Sequence, residues 1–594
     1  MSNYWDTYWR RRRASRRHFL AGAGSVTAGA AGLALVGCGG DDDDDDDDVQ
    51  IATNTPDAGA APTTAPADPF ADAIPGGSYL TDAAGGPPTI DPYGNLSFLT
   101  KGYSAFFYSR LFKLNSGFGV GIDALVPEPD LADSFEATPD GLTYTVTLRD
   151  ATFHDIAPVS GRAVDTQDIE YSWGRATAAE NTNASQLAYV ESVDFPDAKT
   201  AVFTLNTPNA AFIDNLADTN LVYIMPREAD GGFDPSTTSI GSGPWILDHF
   251  TPDVGWAGVK NPLWHLGEGG RFPLMDRNEV AIVPEYATRL AQFLAGATDA
   301  TGLTADDLVD TKNQLTDIQL YSEVPPLMSF FFFSGGDPSA PWAQPGVRRA
   351  ISMAMDRDTI TDTFYKVTEL RDAGLDVQAP WNNLIPAGVK KFWLDPQSAE
   401  QGASAAFFQY NVEAAKAELA AAGYPDGFDV KYQYTENRYG STFNSIAEVN
   451  IQFLEAIGIR VTTEVQDYSS VYITNTFVGN FEGIAFGYET PFPEGGSYPI
   501  RFFTDNPINH GKVADAELTA LAQQQQQELD LETRKELFRE IQRKNAEKMY
   551  YVPHQAGAAS GWTGYRGRMH NVLDIRTIGY GAATETAPYY WKDA

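Results

Sequence analysis

The sequence contains one cysteine, Cys38, and only seven histidines among its 594 residues. A single thiol cannot form an internal disulfide, so large hydrophobic cores have to hold the fold together. The sequence also lacks the H-E-x-x-H pattern of zinc proteases and the G-x-S-x-G pattern that positions a nucleophilic serine. These shortages exclude a disulfide-stapled scaffold and argue against two common classes of hydrolase.

Basic residues are scarce as well: 42 Lys and Arg stand against 79 Asp and Glu, which gives a formal net charge of −37. Such a surface repels nucleic acids and anionic lipids, so neither is an expected partner. Solubility or adaptation to salt is the simplest explanation of the charge, and attraction of cationic ligands is the alternative. With 43% hydrophobic residues, most of the chain is expected to fold into two or three lobes.

Arginine is concentrated near the N-terminus, where residues 10–17 read RRRRASRR. The stretch 18–37 that follows has no Asp, Glu, Lys or Arg and is rich in Ala and Gly. A basic head before an apolar segment is typical of an export signal, and Ser15–Leu20 resembles the twin-arginine export motif. A permanent transmembrane helix is the alternative, but the Ala and Gly content makes this segment only mildly hydrophobic.

Leu35-Val36-Gly37-Cys38 resembles the lipobox of bacterial lipoproteins, in which the cysteine thiol is joined to diacylglycerol. Two or more acyl chains anchor a protein stably to a membrane. We therefore expect the mature protein to begin at Cys38 and to be anchored on the outer face of the cytoplasmic membrane. A buried, unmodified cysteine is the alternative.

Residues 38–75 have the composition of a linker. The eight aspartates Asp41–Asp48 repel one another, and the stretch after them is rich in Ala, Pro, Thr and Asp. A calcium site is disfavoured, because calcium loops place turn residues and backbone ligands between their carboxylates. We interpret the aspartate run as a solvated spacer between the membrane and the folded body.

The body carries mixed α and β signals. Apolar residues alternate at Tyr144, Val146 and Leu148, as in a half-buried strand. The sequence 411–465 predicts a helix capped by Asn411, a strand near 428–434, a second helix to Gly458 and a strand near 459–465. Two strands around one helix predict a parallel βαβ unit. A further helix is expected at 533–549, and Gln523–Gln527 is expected on a solvated helix face.

Several short segments of the body occur in a characteristic order. They are Thr89–Pro92, Pro129–Phe135, PDGLTYTVTLRDATFHD up to Asp155, Asp165–Trp173, Gly241–Trp245, Val347–Arg357, AELAAAGYPDGFDV and FLEAIGIRV. Together they resemble the extracellular solute-binding proteins of ABC importers, in the family 5 class that handles oligopeptides, dipeptides and nickel complexes. The resemblance spans about residues 76–594.

The resemblance implies an α/β fold of periplasmic-binding-protein type, with mixed sheets in three lobes. Lobe one would combine 76–112, 227–324 and 555–594, lobe two would be 113–226, and lobe three would be 325–554. Lobes one and three would close over a ligand cleft by hinge bending. Within this scaffold His154-Asp155 is interpreted as structural rather than catalytic, and Phe330–Phe333 predicts a buried strand.

The resemblance also implies candidate ligand residues. In peptide-binding relatives, a segment after the 459–465 strand carries an aromatic residue and then a carboxylate that pairs with the α-ammonium group of the peptide. Here that segment contains Phe486, Tyr488 and Glu489, so Glu489 is the candidate ammonium anchor, with a solvated loop carboxylate as the alternative. The match departs from the family pattern, because Pro491 can equally occupy the acidic position. Trp381 is a candidate platform for ligand, with a packed tryptophan as the alternative.

The resemblance predicts a binding module and not an enzyme. It implies a lipid-anchored receptor that captures extracellular peptides or peptide-like solutes and delivers them to the membrane permease of an ABC transporter. We expect a monomer without a cofactor or a metal. The alternative is an exported hydrolase, such as a glycosidase with paired carboxylates, because such pairs are distant in sequence and have no short motif.

Overall fold

The computed structural model describes residues 68–594, apart from 96, 122–123, 323, 325, 490–491, 493, 555–560, 578–581 and 594. The predicted export signal, Cys38 and the run Asp41–Asp48 lie outside these residues. Among the helices of the described part, none has both the length and the apolar character that a membrane span requires.

The strands in chain order are β1 Ser78–Ala83, β2 Phe112–Leu114, β3 Pro127–Pro129, β4 Ala132–Ala137, β5 Thr143–Leu148, β6 Val190–Asp194, β7 Thr200–Leu205, β8 Trp245–Thr251, β9 Gly255–Lys260, β10 Arg277–Ile282, β11 Ala300–Leu303, β12 Gln319–Ser322, β13 Ser329–Phe333, β14 Asp429–Thr435, β15 Arg460–Gln466, β16 Ile484–Tyr488, β17 Tyr551–Pro553, β18 Trp562–Tyr565, β19 Met569–His570 and β20 Trp591–Lys592.

The α-helices are α1 Phe98–Phe107, α2 Thr166–Ala176, α3 Phe212–Ala217, α4 Tyr286–Leu294, α5 Leu308–Gln314, α6 Pro345–Ala354, α7 Arg357–Tyr365, α8 Val367–Asp372, α9 Val412–Ala421, α10 Ser441–Ala456, α11 Ser497–Phe503, α12 Ala516–Gln527, α13 Leu531–Lys548 and α14 Ala582–Glu585. A π-helix spans Tyr468–Thr476. Short 3₁₀ turns lie at Thr182–Leu187, Arg227–Ala229, Ala305–Asp307, Pro341–Ala343, Ala399–Phe408 and Ala587–Tyr589.

The largest sheet orders its seven described strands as β12-β18-β11-β1-β10-β9-β8. β1 is parallel to β10 and β11, and the remaining pairs are antiparallel. All of these strands lie within the ranges predicted for lobe one, and they come from separated parts of the chain. The exact lobe boundaries stay a prediction.

A four-stranded antiparallel sheet, ordered β4-β5-β7-β6, lies within the range predicted for lobe two. In β5 the side chains of Tyr144, Val146 and Leu148 are buried, while the threonines between them are more exposed. The alternation predicted from the sequence is confirmed, since successive side chains of a strand point to opposite faces.

The third sheet has the order β15-β14-β16-β13-β17 and lies within the range predicted for lobe three. β14 and β15 run parallel around helix α10, which confirms the βαβ unit. The strand of four phenylalanines is buried on both faces: Phe331 and Phe333 enter one hydrophobic core of this lobe, and Phe330 and Phe332 enter the other.

Local sequence signals set several helix ends. The Asn411 side chain accepts a hydrogen bond from the backbone N–H of Ala414 and caps α9 as predicted. α13 extends slightly beyond the N-terminal end of the predicted helix at 533–549. The polyglutamine run is only partly solvated, because Gln525 is buried. Its side-chain amide donates to the backbone carbonyls of Gly496 and Ala522 and accepts from Arg534.

His154 shows how a histidine of the second lobe serves the scaffold. Its Nδ1 accepts a hydrogen bond from the backbone N–H of Gly241 at 3.2 Å, and its Nε2 lies 3.2 Å from the carbonyl oxygen of Gly243. The ring is buried, and burial lowers its pKa from the ordinary value to about 4. The neutral ring therefore ties the segment 241–243 to the loop after β5.

This histidine should make stability depend on pH. In the unfolded chain its pKa is near 6.5, so between about pH 6.5 and 4 only the unfolded state binds the proton, and stability falls as pH falls. We expect the wild type to lose about 2–3 kcal/mol more than His154→Gln between pH 7 and 4.5. Urea unfolding at a series of pH values measures this difference.

His249 provides the matched control, because its side chain is 49% exposed beside Asp248. The variant His249→Gln removes an exposed histidine and is measured in the same way for comparison. A His154→Gln protein with an unchanged slope would show that His154 does not contribute to it.

Candidate functional site

Three parallel strands of the third sheet end at the same edge, since β14 is parallel to both β15 and β16. In open α/β sheets, ligands bind outside the carboxyl ends of the strands. The segments that follow these three strands therefore form the candidate site. Helix α1 of the first sheet's lobe reaches the same place, as the contact of Phe98 with Arg438 shows.

Three half-buried tyrosines, Tyr439, Tyr468 and Tyr488, lie beyond or at these strand ends and are called here the tyrosine wall. The ring centroid of Tyr439 lies 5.7 Å from that of Tyr468 and 5.1 Å from that of Tyr488, and both pairs are nearly perpendicular. Burial raises the pKa of the Tyr439 and Tyr488 hydroxyls well above the ordinary value. These hydroxyls therefore stay protonated, and the wall contributes aromatic ring surface to the site.

Short polar contacts hold the loops of the wall in place. The Asn437 side chain donates to a carboxylate oxygen of Asp467 at 2.7 Å, and its amide oxygen accepts from the backbone N–H of Tyr468 at 3.0 Å. Asp467 in turn accepts from the backbone N–H of Ser470 and caps the π-helix. The loops after β14 and β15 thus act as one unit that fixes Tyr439 and Tyr468.

The π-helix Tyr468–Thr476 packs on the last strand of the trio. Tyr472, in its first turn, donates its hydroxyl to the carbonyl oxygen of Phe486 at 3.1 Å. A Cβ atom on Gly487 would lie 1.8 Å from that hydroxyl oxygen, so the position admits only glycine without displacement of Tyr472. π-helical segments are rare and frequently lie at functional sites, which agrees with this placement beside the wall.

Arg438 lies beside the tyrosine wall. Its guanidinium carbon lies 5.5 Å from the ring centroid of Tyr468 and 4.6 Å from that of Phe98, which begins α1. In the part of the chain that the structure describes, Arg438 has no carboxylate partner. A guanidinium held between two aromatic rings is positioned to bind a carboxylate with two parallel hydrogen bonds.

Two of the residues predicted from the sequence lie at the wall or beneath it. Tyr488 is part of the wall itself. Phe486 is fully buried and stacks on Phe443, with ring centroids 4.7 Å apart and an interplanar angle of 9°. Phe443 in turn lies 5.2 Å from Tyr488, so Phe486 supports the wall from inside the core.

Glu489 points into the protein and is 1% exposed. One carboxylate oxygen lies 3.1 Å from a guanidinium nitrogen of Arg501, and the other lies 2.6 Å from Nε2 of His510. The other ring nitrogen of His510 contacts the carbonyl oxygen of Phe477. This placement differs from the predicted ammonium site and from a solvated loop, because partners within the same lobe already surround the buried carboxylate.

Trp381 is 4% exposed and belongs to a hydrophobic core of the third sheet's lobe. Its indole N–H donates to a carboxylate oxygen of Asp358 at 2.9 Å, and its backbone carbonyl accepts from the indole of Trp393. In this conformation the ring offers no open face to a ligand, which matches the packed alternative.

Sequence reasoning missed Arg438, Tyr439 and Tyr468. A signal for them was present, because each follows a strand of the predicted parallel βαβ unit at its carboxyl end. The site groups offer stacking, hydroxyl hydrogen bonds and a positive charge. No cluster of His, Cys, Asp or Glu able to hold a metal ion occurs among the described residues.

Comparison with known proteins identifies relatives along most of the body. The family model of bacterial extracellular solute-binding proteins, family 5 Middle, matches residues 126–510. A protein of Brucella ovis named as an ABC transporter peptide-binding protein is 28% identical over 283 residues, which cover 46% of this chain and 50% of that protein. The chain thus spans about half the length of this relative. Heme-binding protein A of Haemophilus influenzae is 26% identical over 393 residues, covering 61% of this chain and 65% of that protein.

Solved structures share the fold over most of this chain. The periplasmic binding protein AgaA of A. tumefaciens R10, in complex with agropinic acid, has a TM-score of 0.70 at 22% identity and covers 87% of this chain and 99% of its own. DppA of Helicobacter pylori, in complex with the peptide STSA, has a TM-score of 0.70 at 19% identity over 88% of this chain and 99% of its own. The predicted α/β fold of periplasmic-binding-protein type is confirmed, and the chain belongs to the bacterial extracellular solute-binding proteins, family 5.

Proposed function

We propose that this protein is the receptor of an ABC importer and captures an extracellular peptide or peptide-like solute that bears a carboxylate. The solute binds between the tyrosine wall and helix α1 and is passed to the membrane permease. Lobes one and three close over it by hinge bending.

The position of Arg438 carries this proposal. The guanidinium lies at the carboxyl ends of three parallel strands, beside the tyrosine wall and against Phe98 of the facing lobe. A ligand carboxylate that pairs with Arg438 would contact both lobes at once. Closure removes water from the pair, and a charge pair is stronger where the surroundings are less polar.

The named relatives support a solute of this chemistry. They include a peptide-binding protein and glutathione-binding proteins of Salmonella, the latter 25–26% identical over 387 residues. Structures of the same fold hold a dipeptide, longer peptides, agropinic acid and mannopinic acid. Peptides and these acids share a carboxylate, which is the group that Arg438 is placed to receive.

Family membership favours a binding module over the exported glycosidase that the sequence left open, because the family is one of solute-binding proteins. Binding and release need no covalent step. The wall residues supply contact area and hydrogen bonds, which suffice for a receptor that holds its solute reversibly.

We further propose that Cys38 carries the lipid anchor and that the protein works as a monomer on the outer face of the cytoplasmic membrane. The lipobox-like Leu35–Cys38 and the basic, then apolar segment before it support this part of the proposal. The aspartates Asp41–Asp48 would then lie in the spacer between anchor and body. Tethering raises the concentration of the receptor near its permease.

Replacing Arg438 with glutamine should weaken ligand binding about 10- to 100-fold, because a charge-assisted hydrogen bond to the carboxylate is lost. A mixed tetrapeptide library serves as the probe, and affinity selection followed by calorimetry on the captured peptides gives the dissociation constants. The same peptides with amidated C-termini should bind the wild type as weakly as the free acids bind Arg438→Gln.

Arg460 offers the control, because it begins β15 at the opposite end of the same strand trio and pairs with Asp429 at 2.8 Å on the surface. Arg460→Gln should bind the peptides like the wild type. Equal affinities for Arg438→Gln and wild type would refute the carboxylate role, and turnover of the peptides would refute the receptor.

A further inference from the structure

A cavity of about 330 Å³ opens on the third sheet's lobe and shares no residue with the tyrosine wall. It is lined by Lys390, Lys391, Phe392, Trp393, Lys535 and Arg539. Four of these six side chains are cationic, in a chain whose net charge is −37. A volume of this size fits a small ligand.

The cations converge from two elements. Lys535 and Arg539 lie four residues apart on α13, so they occupy the same helix face. Lys390 and Lys391 come from the loop that leads into Phe392 and Trp393. The positive charges of these four side chains repel one another. A bound anion would reduce this repulsion.

Two aromatic residues, Phe392 and Trp393, form the base of the cavity, which is called here the aromatic floor. Phe392 stacks on Phe538 of α13 with ring centroids 4.2 Å apart, and Trp393 donates its indole N–H to the carbonyl oxygen of Trp381 at 3.2 Å. Arg534 covers the Phe392 ring at 5.0 Å. The floor is therefore tied to the core, and the charged groups are carried on a rigid support.

The carboxylates that pair with Lys535 and Arg539 neutralise these two cations weakly. Glu532 pairs with Lys535 at 2.9 Å, and Glu400 and Glu536 pair with Arg539, but these glutamate side chains are 64–77% exposed. Exposed ion pairs contribute little. Lys390 forms no ion pair within the residues that the structure describes. Burial lowers the pKa of Lys391, and the charges of Asp214 and Glu494 act in the opposite direction, so this lysine also has acidic neighbours.

We propose that this cavity binds a small phosphate-bearing anion. The guanidinium of Arg539 would contact two phosphate oxygens, and the lysines would supply point charges around the remaining oxygens. Four convergent cations suit a multivalent anion better than a single carboxylate. The phosphate belongs either to a free solute or to the head group of a membrane lipid, and the two sources share this chemistry.

Calorimetric titration of the full chain with pyrophosphate tests the site. We expect one binding event whose affinity falls as NaCl is raised, and a loss of roughly tenfold or more in the double variant Lys390→Gln, Lys535→Gln. Lys416→Gln is the control, because Lys416 is half-exposed on α9 and pairs only loosely with Glu413. This variant should bind pyrophosphate like the wild type.

Sedimentation with phosphatidylglycerol vesicles distinguishes the two sources. If wild-type protein binds these vesicles more strongly than the double variant, and pyrophosphate reverses the difference, a lipid head group is the ligand. If pyrophosphate binds but the vesicles do not discriminate between the proteins, the ligand is a free phosphate. Absence of pyrophosphate binding by the wild type, or equal binding by the double variant, overturns the proposal.

Discussion

Replacing Glu489 with alanine is expected to lower the free energy of unfolding by about 3–5 kcal/mol. The carboxylate is the shared partner of Arg501 and His510, whose side chains are 3% and 0% exposed. Its removal leaves the buried guanidinium of Arg501 without a counter-charge and one ring nitrogen of His510 without its hydrogen-bond partner. Urea unfolding followed by far-ultraviolet circular dichroism measures the loss.

Glu482 provides a control in the same segment of chain. It pairs with Lys431 at 2.8 Å, but its side chain is 70% exposed. Glu482→Ala should therefore cost no more than about 1 kcal/mol. If both variants lose the same small amount of unfolding free energy, the buried group of Glu489, Arg501 and His510 does not stabilise lobe three. A role of Glu489 in ligand binding would then be open again.

Replacing Arg357 with methionine is expected to lower the free energy of unfolding by about 3 kcal/mol or more, although methionine is also a long, unbranched side chain. The buried guanidinium donates to the carbonyl oxygens of Pro553, Ser352 and Phe408 and to the hydroxyl of Ser352. These acceptors would lose their partners inside the core. Each buried polar group left without a partner costs about 1–3 kcal/mol.

Arg357 also fixes the end of β17, where the chain leaves for the other lobe. Its substitution should therefore speed hydrogen exchange at the backbone amide of His554, which donates to the carbonyl oxygen of Ser329. Arg349→Met is the control, because this arginine pairs with Glu418 and both side chains are partly exposed, by 25% and 29%. An unchanged exchange rate at His554 in Arg357→Met would contradict the role of Arg357 at this crossing.

Much of the fold was predictable because its signals are local. The alternation of apolar and polar residues predicted strand β5, and Asn411 as a cap predicted the start of α9. The order of strand, helix and strand at 428–465 gave the parallel unit, since a parallel connection needs a long crossover. These features depend on neighbours in the sequence, and the structure confirms them.

The site was less predictable because it depends on side-chain direction and on distant partners. Tyr488 and Glu489 are adjacent, yet Tyr488 packs beside Phe443 and Tyr439, and Glu489 pairs with Arg501 and His510. Alternation along β16 places these two side chains on opposite faces, but it does not show that Arg501 and His510 surround Glu489. The burial of Trp381 depends on Asp358 and on packing that no local pattern reveals. Arg438 follows the first strand of the predicted βαβ unit, but a lone arginine in a polar loop does not by itself indicate which ligand group it binds.

The position of β18 in the first sheet has a consequence for how the protein is made. β18 lies between β11 and β12, which precede it by more than two hundred residues, and it pairs with both. β12 can join the sheet only after residues 562–565 have been synthesised. During translation the edge of β11 therefore stays unpaired until β18 leaves the ribosome. The sheet is completed only after nearly all of the chain has been synthesised. Strand pairing over such a long sequence separation is slow.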